Sequence, residues 1–220
     1  MHMKKLQNLN HDYLFAQIAL FVAIGLQIAA WKNNNSLTLG LHPFIILTEL
    51  ALAAILGVMS HTRTAVGNNA YRSASFLLLG LISIENITSM IMIVRLLISD
   101  GTELSGYQLL GSAIAIFLTN IIVFALWYWE IDSPGLTGKR WSKHDRDFQF
   151  LQQEDAITYK DWRPNFIDYL YVSLTNAINF AASDTRPVTR QAKILMGVQA
   201  LVSVTTLALV IARSVSILGE

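Results

Sequence analysis

Cysteine is absent from the 220-residue sequence, and charged residues make up only 14% of it. The absence of cysteine excludes disulfides, thiolate metal sites and a cysteine nucleophile, and it leaves the redox compartment undetermined. Soluble domains usually contain about 25% charged residues, so the low charge disfavours a soluble fold. The formal net charge of +1, together with the lack of a basic helix, gives no indication of a nucleic-acid partner.

Motifs of the common enzyme classes are also missing. The five histidines form no His-Glu-x-x-His pair, and the chain has neither a nucleophile elbow nor a glycine-rich phosphate loop. Acidic residues between positions 145 and 161 are interspersed with cations whose charge they balance, which disfavours a metal site there. We therefore expect no enzymatic activity, no cofactor and no bound metal.

Long apolar runs dominate the sequence, which is 53% hydrophobic with a mean hydropathy of +0.44. Runs of about 18 residues or more can cross roughly 30 Å of hydrocarbon at about 1.5 Å per residue. Because that layer holds no water for backbone groups to bond, such runs must be helical. We predict an all-α, polytopic transmembrane bundle with five firm spans and a sixth segment that either spans or re-enters. The five spans cover about 13–31, 38–59, 74–98, 107–129 and 190–218.

The predicted organisation has three parts, and its orientation follows from the cations. Residues 1–130 hold four transmembrane helices, 131–164 form a polar linker, and 165–220 hold a pore-like helix and the final span. With six crossings counted, most of the 16 lysines and arginines fall on the side of the N-terminus. Since cations are enriched in cytoplasmic loops, we predict that the N-terminus and the linker are cytoplasmic.

The C-terminal part carries a recognisable pattern. It reads Tyr171-Val172-Ser173-Leu174, then Asp184, then Pro187-Val188-Thr189 before the last apolar run. This pattern resembles the pore region of potassium channels, where a short pore helix and a filter precede the inner helix. The resemblance implies a channel-like homo-oligomer with this hairpin near its axis. The positions that correspond to the pore and filter are Thr175, Asn176, Asn179, Phe180, Ala181, Ala182, Ser183 and Asp184.

The five filter positions, 179–183, contain no glycine. A potassium filter coordinates dehydrated ions with stacked backbone carbonyls, and its glycines permit that backbone. Alanine and serine pay a steric penalty for positive φ, so the resemblance implies shared architecture without potassium selectivity. The cation-rich linker leaves two alternatives for 165–183: a full span, or a hairpin that enters from the cytoplasmic side. Nineteen helical residues would reach about 28 Å, which slightly favours the full span.

A second resemblance covers nearly the same segment. The sequence Trp162-Arg163-Pro164-Asn165-Phe166-Ile167-Asp168-Tyr169-Leu170-Tyr171, with Thr175-Asn176-Ala177 after it, is similar to the last two helices of a family of uncharacterised bacterial membrane proteins. The family offers no assigned activity. The resemblance implies a location in a bacterial plasma membrane.

Ionisable residues within the spans form another group of candidates. Glu49 and Glu85 fall near the middle of two antiparallel spans and so at similar depth. His42 shares a helix face with Glu49, and Asn120 of the fourth span lies at comparable depth. Such residues are costly in a bilayer and face protein or water. They predict a mid-membrane cation or proton site, or alternatively an interhelical hydrogen-bond network.

The last span has a polar stripe with two interpretations. Gln199, Ser203, Thr206 and Arg213 share one helix face and are candidates for lining a pore. Small polar residues also let transmembrane helices pack closely without a pore. Three functions therefore stay open: a channel-like homo-oligomer, a small cation- or proton-coupled transporter using Glu49 and Glu85, and a non-transporting scaffold or partner subunit.

Overall fold

The computed structural model describes residues 2–33, 42–61, 67–98, 106–132, 146–155, 157–160, 162–179 and 184–218. Within these ranges the chain forms six α-helices and one two-stranded sheet, so the all-α prediction is confirmed. The helices are α1 (His2–Asn33), α2 (His42–His61), α3 (Gly67–Ile98), α4 (Gly106–Asp132), α5 (Phe166–Asn179) and α6 (Arg190–Leu218). The strands are β1 (Phe148–Phe150), followed by a short 3₁₀ helix (Leu151–Gln153), and β2 (Thr185–Pro187).

Four helices contain stretches long and apolar enough to cross a membrane. These stretches are Leu14–Lys32, Ser73–Leu96, Tyr107–Asp132 and Arg190–Ala212. The apolar stretch of α2 that the structure describes is shorter, Phe44–Gly57. Four candidate spans are thus supported, and the prediction of five firm spans and a sixth segment exceeds what the structure shows.

α4 lies at the centre of the bundle, against α1, α3, α5 and α6. Its apolar stretch is 67% buried, compared with 28% for the stretches of α1 and α6. A helix that is apolar all round is expected to be enclosed by other helices, and α4 follows this rule. The outer helices α1 and α6 instead bury one side and expose apolar side chains on the other, as expected for helices that contact lipid.

α5 begins at a site that the local sequence specifies. Pro164 cannot continue a helix backwards because it lacks a backbone N–H. Asn165 then caps the helix: its side-chain oxygen accepts from the Ile167 N–H at 2.8 Å, and Asp168 accepts from the Asn165 N–H at 2.7 Å. This reciprocal pair satisfies N–H groups that the first turn leaves without helical partners.

α5 is too short to cross the hydrocarbon region. Its 14 residues rise about 21 Å, against about 30 Å required. The strands before and after it pair antiparallel, with Phe148 opposite Pro187 and Phe150 opposite Thr185. The chain therefore leaves and returns to one end of the bundle around α5. The structure does not support the slight preference for a full span over 165–183, and it fits the hairpin alternative.

The sheet is anchored on the end of α4 by a buried carboxylate. Asp132 accepts hydrogen bonds from the Asp147 N–H at 2.5 Å, the Phe148 N–H at 3.1 Å and the Tyr169 hydroxyl at 2.6 Å. The rings of Phe148 and Tyr128 pack 5.0 Å apart in the same region. We call the end of the bundle that carries Asp132 and the sheet the linker end.

Candidate functional site

The predicted pore-lining residue Gln199 is the hub of a buried network that joins α4, α5 and α6. Its Oε1 accepts from the Tyr128 hydroxyl at 2.5 Å and from the Asn176 amide at 2.8 Å. Its Nε2 donates to the Ser173 hydroxyl at 2.6 Å, and that hydroxyl donates to the Ile121 carbonyl at 2.6 Å. Gln199 is 0% exposed, and both ends of its amide are hydrogen-bonded. The network therefore holds α4, α5 and α6 together.

Ser203 and Thr206, two further residues of the polar face of α6, are also buried within the single chain. Ser203 accepts from the Asn120 amide at 2.8 Å, and Thr206 donates to the Val202 carbonyl of its own helix at 2.7 Å. The Arg213 side chain lies outside the described residues. This arrangement fits the close-packing interpretation of the stripe. α6 also exposes large apolar side chains: Ile194, Val198, Leu201, Val204, Ile211 and Val215.

The filter-equivalent positions are only partly described. Thr175 donates to the Tyr171 carbonyl one turn earlier at 2.9 Å, and Asn176 belongs to the network around Gln199. Asn179 is exposed at the end of α5, and Asp184 is exposed just before β2. Phe180, Ala181, Ala182 and Ser183 lie outside the described residues. The described members therefore hold α5 in the bundle or lie at its surface.

Glu49 and Glu85 come together, as their similar depth in antiparallel spans predicts. Glu49 is 0% exposed and Glu85 is 7% exposed, and the two carboxyls are close enough to interact electrostatically. Among the described residues, neither carboxylate oxygen of Glu49 has a hydrogen-bond partner. A buried carboxyl without a partner is costly as an anion, so a proton or a cation must neutralise it.

A glutamine of α1 completes this cluster. Gln27 is 6% exposed and approaches Glu49, while its amide donates to the Ile82 carbonyl of α3 at 3.5 Å. Sequence reasoning missed Gln27, although an uncharged amide in the middle of an apolar run was a usable signal. Asn120, predicted at the same depth, bonds to α6 instead, and the side chain of His42 lies outside the described residues.

A cavity of about 50 Å³ lies between α1, α2, α3 and α4. Three polar side chains line it, Gln17, Ser75 and Glu130, and the rest of its wall is mostly apolar. A buried water needs about 10–15 Å³ of such volume and several polar partners. The cavity is therefore large and polar enough for roughly three water molecules.

Electrostatics at the linker end centre on a second carboxylate. The Asp147 carboxylate accepts a hydrogen bond from the hydroxyl of Thr189, which lies just before α6. The backbone carbonyl of Asp147 accepts from the Val188 N–H at 2.8 Å. Burial raises the pKa of Asp147 above its ordinary value, and the Thr189 hydrogen bond opposes this shift. The junction thus joins the end of α4, the sheet and the start of α6 through two acidic side chains.

No group of three or more histidine, aspartate or glutamate side chains in the described part of the chain could hold a metal ion. What the site offers chemically is an acidic pair in the bundle core, an amide beside it and a small cavity nearby. The chain matches no protein family, no curated protein and no solved structure.

Proposed function

We propose that this chain is an integral membrane protein that moves protons or small cations across the bilayer through the Glu49–Glu85 pair. The observation that carries the proposal is the complete burial of Glu49 with no hydrogen-bond partner for either oxygen among the described residues. A structural carboxyl in a protein core is normally hydrogen-bonded. Intramembrane carboxyls that are not committed to structure commonly mark ion pathways or proton relays.

The pair suits reversible loading. Two neighbouring carboxyls repel each other as anions, so that binding one proton or one cation relieves both the repulsion and the desolvation of charge. Gln27 adds an amide that can donate to an ionised oxygen or accept from a protonated one. The site therefore has a polar neighbour in both its ionised and its protonated state.

The proposal includes an orientation in the membrane. If α1 to α4 and α6 cross and α5 dips in and returns, only Lys32, Arg95 and Arg213 fall on the side opposite the linker. The other 13 of the 16 cations share the linker side, since the hairpin moves Arg186, Arg190 and Lys193 there. The positive-inside rule then places the N-terminus and the linker in the cytoplasm of, as we propose, a bacterial cell.

The test is ion flux in proteoliposomes that contain the purified protein. We expect Glu49→Gln and Glu85→Gln each to lower flux at least tenfold, because glutamine keeps the shape of the side chain and removes its charge. Glu154→Gln, at an exposed linker position, is the matched control and should leave flux unchanged. A proton flux that follows the pH gradient alone, or one that needs a particular alkali cation, identifies the cargo.

Flux that persists in both core variants would refute the proposal. Lack of flux in the unmodified protein under every gradient would favour the non-transporting scaffold instead. Size-exclusion profiles of the variants separate a lost activity from a lost fold.

A channel-like homo-oligomer without potassium selectivity is the second candidate. The succession of a long helix, a short helix, a return and a long helix in α4, α5, β2 and α6 favours it. The burial of Gln199, Ser203 and Thr206 weighs against it, because these three polar residues of α6 make their hydrogen bonds inside the chain. A protein that stays monomeric in mild detergent and in nanodiscs would remove this candidate.

A further inference from the structure

We infer that the cavity between α1, α2, α3 and α4 is a hydrated vestibule through which the Glu49–Glu85 pair exchanges with the linker side only. The purpose of the vestibule rests on the proposed function, whereas the position and the polar lining of the cavity are separate observations. The ligand that it admits is water, with the protons or small hydrated cations that water carries.

The wall of the cavity places it at the linker end. It includes Trp129 and Glu130 from the last turns of α4, where Asp132 and the sheet also lie. Gly57 near the end of α2 and Ser75 in the first part of α3 line it as well. Since α2, α3 and α4 run in alternating directions, the end of α2, the start of α3 and the end of α4 lie at one end of the bundle.

Small side chains on α2 create the space. Ala53 and Gly57 lie one turn apart on the cavity wall, where larger residues would fill it. A Cβ added to Gly57 would meet only the Gln17 amide nitrogen, at an ordinary contact distance of 3.8 Å. The cavity therefore exists because α2 has small residues at these two positions. Polar groups of α1, α3 and α4 line it and can hydrogen-bond to water inside it.

The cavity leads toward the acidic pair along α1, α2 and α3. On α2, Ala53 follows Glu49 by one turn on the same face. On α3, the cavity-lining Leu78 is followed on the buried face by Ile82 and then by Glu85. On α1, the buried face passes from Leu20 through Ile24 to Gln27, all at most 8% exposed.

An apolar constriction separates the cavity from the acids. Ile24 is 1% exposed and Ile82 is 0% exposed, and both belong to the apolar core around the cavity. Hydrophobic constrictions of this kind gate water and ions by dewetting. The geometry therefore corresponds to a site that is closed in this structure and exchanges with the linker side when these two isoleucines separate.

The absence of native cysteine makes labelling of single introduced cysteines a direct test. Gly57→Cys and Ser75→Cys place a thiol in the cavity, while Leu47→Cys and Ile84→Cys, at positions 66% and 65% exposed, place one on the outer apolar surface. The probe is a small, membrane-impermeant, cationic methanethiosulfonate, which reacts with thiolates in contact with water. It is added from one side at a time to vesicles of defined orientation.

We expect both cavity thiols to react at least tenfold faster than both control thiols, and to do so from the linker side. Rates equal to those of the controls would show a dry or lipid-filled cavity and would overturn the inference. Reaction from the opposite side alone would also overturn it. The two cavity positions lie on different helices, so misfolding of one variant leaves the other as a test.

The constriction is tested with Glu49→Cys. We expect this thiol to react slowly in the otherwise native chain and at least tenfold faster when combined with Ile82→Ala or, independently, with Ile24→Ala. No acceleration in either combination would contradict the gate. If the cavity thiols are labelled and Glu49→Gln has normal flux, the proposed function is refuted and the vestibule stands. If the cavity thiols are not labelled and Glu49→Gln abolishes flux, the vestibule is refuted and the proposed function stands.

Discussion

At the scale of single residues, polar side chains in this bundle fall into two kinds that the sequence does not distinguish. Gln199 has partners for both ends of its amide, whereas Glu49 has none for either oxygen within the described residues. Both are fully buried in apolar runs. The partners make the difference: a satisfied amide holds helices together, whereas a buried carboxyl without a partner is costly as an anion.

The structural role of Gln199 predicts a loss of stability on substitution. Gln199→Leu keeps the size of the side chain but leaves the Tyr128 hydroxyl, the Asn176 amide and the Ser173 hydroxyl without this partner. We expect the free energy of unfolding to fall by about 1–3 kcal/mol, measured by denaturant titration in detergent micelles. Gln191→Leu, the same change at an exposed position of α6, is the control. Equal effects of the two changes would contradict the role.

At the scale of elements, the hairpin around α5 depends on the linker end of α4. Two strands of three residues each are too short to be stable alone. The Asp132 carboxylate accepts three hydrogen bonds, from the N–H groups of Asp147 and Phe148 at the start of β1 and from the Tyr169 hydroxyl of α5. The Asp147 carboxylate accepts from the Thr189 hydroxyl just before α6. The pairing of β1 with β2 is therefore a consequence of docking on α4 and α6.

The pKa of Asp147 predicts a pH dependence of this junction. Because burial raises the pKa above the ordinary value of 3.8, the folded chain binds a proton more readily than the unfolded chain. The stability that this group contributes is present below the ordinary pKa and is lost as pH rises through the raised value. We expect Asp147→Asn to remove this component, so that the unfolding temperature of the native protein falls relative to the variant as pH rises.

A carboxyl with the opposite shift is the control. The Thr158 side chain and N–H lower the pKa of exposed Asp155, so its contribution is lost as pH falls instead. Asp155→Asn should therefore not reproduce the pH profile of Asp147→Asn. Identical profiles for the two variants would show that the measured dependence has another origin.

At the scale of the whole molecule, the parity of the crossings depends on α2 and α5, because the four candidate spans lie in the other helices. Our proposal has α2 crossing, and it has the 14-residue α5 returning to the side from which it enters. With α1 to α4 and α6 crossing, the two termini lie on opposite sides of the membrane, whereas six full crossings would place them on the same side. The cation distribution favours the first arrangement, because only three of the 16 cations then fall outside.

This topology predicts opposite signals from the two termini. A reporter enzyme that is active only outside the cytoplasm should be active when fused after Glu220 and inactive when fused before Met1. Activity at both ends or at neither end would contradict the five-crossing arrangement. The same fusion after residue 155 in the linker should be inactive, which provides an internal control.

The sequence by itself predicted the helical class, and it placed Glu49 and Glu85 at similar depth in two antiparallel spans. Of the predicted five spans and sixth segment, the structure supports four candidate spans. These features depend on local composition and on the antiparallel course of two successive helices, both of which can be read along the chain. The start of α5 was similarly local, since Pro164, Asn165 and Asp168 specify a helix N-terminus.

Only the tertiary structure decided which polar residues are already satisfied and which are not. Gln199 finds Tyr128 at a separation of 71 residues, and Asn120 finds Ser203 at 83, distances over which periodicity carries no information. The pairing of β1 with β2 and the addition of Gln27 to the acidic pair likewise depend on how the helices pack. Burial of a polar group can be predicted from an apolar run, but its hydrogen-bond partner is supplied by another helix.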